Sequence, residues 1–182
     1  MRLLLVQNHF QVDTGLVAEA IDRFDIEYEL ACSFESEPLP NPLGYTAVVV
    51  FGSPRSCYEI ADDPGLLQVR DLVTDCVEAD KPVLGLCFGA QMLAYVLGGE
   101  VYRHTELELG PCDIALTADG MKSPAFAGFP ERFMMPECHF DTFDLPKGAR
   151  HLARSEVCAN QAFAAGPHLG LQFHGKRGKG IR

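Results

Sequence analysis

Cys87 is the residue best placed for chemistry. It lies in Pro82-Val83-Leu84-Gly85-Leu86-Cys87-Phe88-Gly89-Ala90-Gln91-Met92-Leu93-Ala94, which ends an apolar strand, turns sharply between glycines and opens a helix. A side chain presented on such an elbow stands on a strained backbone, so the positions two residues to either side must be small, as Gly85 and Gly89 are. The helix N-terminus gathers unpaired N–H groups and the positive end of the helix dipole, which favours an anion and hence a thiolate nucleophile. The amide of Phe88 would face the same point and serve an oxyanion. The bland alternative is a buried small hydrophobe, the common fate of a cysteine. The six others (Cys32, Cys57, Cys76, Cys112, Cys138, Cys158) fit it, since none stands between glycines at a strand-to-helix turn.

Two more segments carry groups that such a thiol would use. Gly52-Ser53-Pro54-Arg55-Ser56 follows a Val-rich run and can offer backbone N–H groups to an oxyanion, while Leu171-Gln172-Phe173-His174 ends in an imidazole. Cys87 with His174 makes a nucleophile and base pair. Metal chemistry has little support. The cysteines show no C-x-x-C pair, an odd total of seven argues against a disulfide framework, and His139-x-Asp141 lacks further ligands at a recognisable spacing. No metal and no cofactor are therefore expected, and His9, His104, His151 and His168 read as surface or core histidines.

The elements that must position these groups follow from hydrophobic period. Leu3 to Val6 reads as a strand, and Leu16, Val17, Ala20, Ile21 and Phe24 mark one helical face behind a Thr14 or Asp13 cap. Glu27 to Ala31 alternates as a strand, Ala47 to Phe51 is apolar throughout, and Leu66, Val69, Leu72, Val73, Cys76 and Val77 form a second helical stripe before Val83 to Leu86. The order β, α, β, β, α, β, α predicts a parallel α/β core with its chemistry at the carboxyl ends of the strands. After Gly98-Gly99, short runs at 100–103, 113–116, 132–135, 151–153, 161–164 and 169–173 predict a mixed or antiparallel extension. One domain is expected from 182 residues with 47% hydrophobic content.

Net charge of −10 speaks against nucleic acid, and the absence of an 18-residue apolar run or a basic, apolar leader speaks against membrane insertion and secretion. A cytoplasmic protein is the expectation. The last seven residues carry four positive charges and no acid, and read as a disordered tail (175–182) or a basic docking segment.

Taken together, G-x-C-x-G-x-Q at Gly85 to Gln91, G-L-Q-F-H at Gly170 to His174 and the Gly-Ser-Pro turn between them and the N-terminus resemble the class I (triad) glutamine amidotransferases. The likeness is to stand-alone proteins similar to the glutaminase domain of GMP synthase, and runs over residues 1–174. Cys138-His139-Phe140-Asp141 looks like that family's S-H-G-D loop, and Asn160-Gln161-Ala162-Phe163 also fits. The resemblance implies a three-layer α/β sandwich around a mostly parallel, flavodoxin-like sheet with a smaller strand-rich extension. It also implies that Cys87 attacks the glutamine side-chain amide with His174 as base, and that Ser53 and Phe88 form the oxyanion hole. Gly52, Gln91, His139 and Phe140 would bind substrate, and ammonia would pass to a synthetase supplied in trans.

The pattern breaks after His174. The family continues with proline and a glutamate that orients the imidazole, whereas Gly175 and Lys176 stand here, and the chain stops within eight residues of His174. This reads as a truncation, a shifted reading frame or an altered chain end, with turnover impaired. Asp141 or Glu137 is a candidate substitute for the glutamate if the fold brings one to His174. Two other functions fit the same residues: hydrolysis of γ-glutamyl amides or peptides, and a non-catalytic glutamine-binding or regulatory module.

Overall fold

The computed structural model describes residues 1–12 and 14–173, so His174 and the basic tail 175–182 lie outside the described residues. The first half follows the hydrophobic pattern closely: β1 (Arg2–Gln7), α1 (Gly15–Arg23), β2 (Glu27–Cys32), β3 (Ala47–Val50), α2 (Pro64–Glu78), β4 (Val83–Leu86) and α3 (Phe88–Val96). The remainder comprises β5 (Val101–Leu116), the short helix α4 (Ala118–Lys122), β6 (Arg132–Phe143), β7 (Arg150–Arg154), β8 (Ala162–Ala165) and β9 (His168–Leu171). One nine-stranded sheet, in the order β2-β1-β3-β4-β9-β8-β7-β5-β6, joins both halves. Strands β2 to β9 along that order are parallel and the last four pairings are antiparallel.

Alternation along each buried strand divides the core into layers. Leu4, Val6, Val48 and Val50 face α2 and α3, whereas Leu5, Val49 and Phe51 face α1 through Ile21. Helix α2 is rich in β-branched residues of modest helix propensity, so packing must hold it. Its Leu66, Val69, Leu72, Val73 and Cys76 are all buried, each burial contributing roughly 1.5–3 kcal/mol. Asp63 caps it by accepting from Gly65 N–H at 2.8 Å, and Pro64 fixes the first helical φ. At the start of α1, Thr14 has helical backbone angles (φ −75°, ψ −15°) and its side chain makes no capping bond. Asp13, the other expected cap, lies outside the described residues.

The strand-rich half departs from expectation in scale. The runs at 100–103 and 113–116 are the two ends of one sixteen-residue strand, β5, and the Cys138–Asp141 segment expected as a loop is the far part of β6. Antiparallel pairing to β6 carries β5 through its polar middle, with Tyr102 opposite Thr142 and Leu109 opposite Cys138, and a register shift between Arg103 and Glu108 absorbs the bend. Residues of this long hairpin line one cavity with Ser53 and Cys87, which follow β3 and β4.

Candidate active site

Strand β4 delivers Cys87 to the elbow with φ 52° and ψ −108°, a backbone conformation that L residues adopt only under constraint. The glycines are what permit it. A Cβ on Gly85 would lie 2.3 Å from Gly89 O, and one on Gly89 would lie 2.0 Å from Val50 O, so the first turn of α3 can pack against β3 and β4 only without side chains there. Backbone oxygens cannot move aside as a side chain tip can. Gly89→Ala is expected to cost roughly 4 kcal/mol or to prevent folding, read as a lost or strongly lowered thermal transition.

The end of β3 is equally fixed. Asn8 Nδ2 donates to Phe51 O at 2.7 Å and its Oδ1 accepts from Ser33 Oγ at 3.1 Å, both inside the protein. From there the chain turns through buried Gly52 into Ser53, whose Oγ accepts from Arg55 N–H at 3.0 Å. Strand β9 reaches the same place from the other side, Cys87 N–H donating to Leu171 O at 2.8 Å. Gln172 N–H bonds Gln161 O at 2.8 Å, and His174, the expected base, lies outside the described residues.

Cys87 opens on a cleft of about 380 Å³ walled by Ser53, Gln91, Arg103, Leu107, Phe140 and Asp141, among others. Ser53, Cys87, Gln91, His139 and Phe140 of the expected site therefore share one cavity. Phe88 contributes through its backbone at the first position of α3, its ring being fully buried in the core. Gln91 is buried: its Nε2 donates to Asp141 O at 3.0 Å and to Gln172 Oε1 at 3.2 Å, which braces α3 against β6 and β9. Asp141 accepts from Ser56 Oγ and, at 3.3 Å, from Tyr58 Oη, closing one end of the cleft. The Asp141 carboxylate thus points to these hydroxyls, while its backbone oxygen takes the His139 Nδ1 hydrogen at 3.0 Å.

Two groups in and behind the cleft, Arg103 and Glu108, escaped the sequence reading. Arg103 places its guanidinium 4.5 Å from the centre of the Phe140 ring, giving the cavity a cation. Behind His139, Glu108 accepts from Gln161 Nε2 and from Ser155 Oγ, both at 2.6 Å, and lies 3.0 Å from His139 Nε2. Those hydrogen bonds outweigh burial and hold the Glu108 carboxyl below its ordinary range. Glu137 is the opposite case: burial, reinforced by the Glu108 charge, pushes it up to about 9. Among the other thiols, burial drives Cys57 strongly upward, with the nearby Asp141 and Cys87 adding to it, and lifts Cys76 to about 12. These two are inert at neutral pH.

Glu137 has a measurable consequence. A carboxyl raised in the folded state stabilises the fold fully below its ordinary value of 4.5 and loses that contribution as pH climbs towards 9. In chelator, Glu137→Gln is expected to match the parent's stability near pH 5 and to exceed it near pH 8 by on the order of 3 kcal/mol, seen as a higher melting temperature. Parallel melting curves across that pH range check it.

The sequence profile of class I glutamine amidotransferases matches residues 14–175. The chain belongs to the class I glutamine amidotransferase family. A glutamine amidotransferase of Thermotoga maritima superposes with a TM-score of 0.89 at 33% identity, over 96% of this chain and 75% of that one. A GMP synthase of Thermomicrobium roseum is 40% identical over 128 residues, a stretch that makes up 70% of this chain and 22% of that protein. The glutamine amidotransferase-like protein YfeJ of Salmonella typhimurium is 30% identical over 93% of this chain and 73% of its own length. Gamma-glutamyl peptidase 3 of Arabidopsis thaliana is 29% identical over 88% of this chain and 65% of its own. The chain thus spans under a third of the GMP synthases it matches. Members of this family are amidotransferases and hydrolases, and the nine-stranded sheet is the family's fold. Among the described residues no helix is long and apolar enough to cross a membrane.

Proposed function

We propose that this chain hydrolyses the side-chain amide of glutamine to glutamate and ammonia through a thioester on Cys87. The observation that carries the reading is the constrained elbow: a cysteine at φ 52°, heading a helix, opening on a cleft of amino-acid size. His174 takes the thiol proton as sulfur attacks the amide carbon, then hands it to departing ammonia. Water next attacks the thioester, with His174 again as base, and releases glutamate. The amides of Phe88 and Ser53 hold the oxyanion in both steps, each worth about 3 kcal/mol. Gln91 and the backbone around His139 and Phe140 seat the amino acid end, and Arg103 meets its carboxylate. Because Gly175 and Lys176 stand where the family has proline and glutamate, His174 is not followed by the carboxylate that stabilises its protonated form, and turnover is slow. Ammonia then goes to a synthetase, in keeping with the likeness to GMP synthases that are several times longer.

A second reading draws on the apolar rim. Tyr58, Leu107, Leu109 and Phe140 are 43–61% exposed around the cleft mouth, enough to accept the leaving group of a γ-glutamyl peptide. Initial rates with glutamine and with a γ-glutamyl dipeptide decide between them. Glutamine is expected to show a kcat/KM about tenfold or more above the dipeptide; the reverse order would assign the chain to peptide hydrolysis.

A further inference from the structure

Behind the His139 wall of the cleft, three buried side chains from three separated segments, Glu108, His139 and Cys158, bring their ligating atoms together, and the Glu137 carboxylate adjoins them at His139. His139 donates its Nδ1 hydrogen to the Asp141 carbonyl at 3.0 Å, leaving Nε2 facing Glu108 Oε2 at 3.0 Å and Glu137 Oε2 at 3.5 Å. Cys158 joins from the connection between β7 and β8: the ligating atoms of Glu108, His139 and Cys158 lie within 4.8 Å of one another. Glu137 supplies a separate clue. Its side chain is wholly buried, yet among the described residues neither of its oxygens has a hydrogen-bond donor, and the contact to His139 Nε2 is too long to be one. A buried carboxylate left without partners is costly and calls for an explanation.

A cation provides it. Nitrogen and oxygen ligands held about 2.0 Å from a tetrahedral ion stand roughly 3.3 Å apart, close to the 3.0 and 3.5 Å found between His139 and the two glutamates. The outer contacts are those that such a centre requires. A backbone carbonyl sets the His139 tautomer, Ser155 and Gln161 orient Glu108, and Thr142 Oγ1 lies 3.2 Å from Cys158 Sγ. His139 also lines the cleft, which gives an ion its way in.

We propose that Glu108, Glu137, His139 and Cys158 form a binding site for a divalent cation of zinc type, distinct from the Cys87 chemistry and pinning the β5–β6 hairpin to the β7–β8 connection. A mixed set of imidazole, thiolate and carboxylate ligands suits zinc and its spectroscopic stand-in cobalt better than magnesium or calcium. The test uses the untagged full chain, stripped with chelator and titrated with Co²⁺. Expected are one equivalent bound, a thiolate-to-cobalt charge-transfer band with strong tetrahedral visible absorption, and displacement of both by Zn²⁺. Cys158→Ser should abolish the charge-transfer band while Cys87→Ser retains it. The isosteric Glu137→Gln should weaken binding about 10- to 100-fold. Circular dichroism establishes that each variant is folded, and if Cys158→Ser is not, Glu137→Gln decides alone. No stoichiometric Co²⁺ or Zn²⁺ on the folded parent, or unchanged affinity in the folded variants, would overturn the site and leave Glu137 as a buried neutral acid.

Discussion

Replacing Cys87 by serine is expected to remove glutamine hydrolysis altogether, by at least roughly four orders of magnitude in kcat. A hydroxyl at the elbow lacks the acidity that lets a thiol ionise at a helix N-terminus. The fold should not notice the change. Cys87 is 6% exposed and serine is smaller by little, while the φ of 52° is imposed by the packing of α3 on β3 and not by the sulfur. Glutamate release, followed beside a melting curve for each protein, checks both halves. A Cys87→Ser protein that still turns over glutamine would exclude the thioester route.

The second large effect is a gain. Gly175→Pro combined with Lys176→Glu restores the family's sequence after His174 and is expected to raise kcat by roughly 10²- to 10⁴-fold with little change in KM. An orienting carboxylate fixes the imidazole tautomer and stabilises the imidazolium that forms as the thiol proton leaves; in other triads its loss costs about 10⁴. Lys176 acts in the opposite sense, its positive charge disfavouring imidazolium. Neither candidate substitute answers the need on present geometry. Glu137 is buried beside Glu108 and His139, and Asp141 is engaged by Ser56 and Tyr58. Steady-state kinetics of the double variant settle the point, and a kcat within twofold of the parent would mean that the missing glutamate is not what limits this chain.

Why the parallel half was legible while the hairpin was not has a physical reason. In β1, β3 and β4 both faces are buried, so composition alone marks them, and the elbow is written in its glycines because backbone atoms approach to about 2 Å of where a Cβ would stand. The hairpin reverses the usual code. Thr105 to Leu109 alternates polar and apolar, which argues for leucines inside and glutamates outside. In the structure Glu108 is 4% exposed and Leu109 61% exposed, because the inward face is a polar cluster of His139, Gln161 and Ser155 and the outward leucines rim the cleft. A local alternation cannot reveal which partners will meet it from thirty or fifty residues away. The same long-range pairing turned an expected loop at Cys138–Asp141 into strand, with Asp141 opposite Arg103.

The most direct test of Cys87 as the nucleophile of a glutamine cleft is covalent capture with 6-diazo-5-oxo-norleucine, a glutamine analogue that alkylates such thiols, read by intact mass beside the Cys87→Ser variant. A single adduct on the parent and none on the variant is the predicted result; a folded parent that stays unmodified, or a variant that is labelled equally, would contradict it.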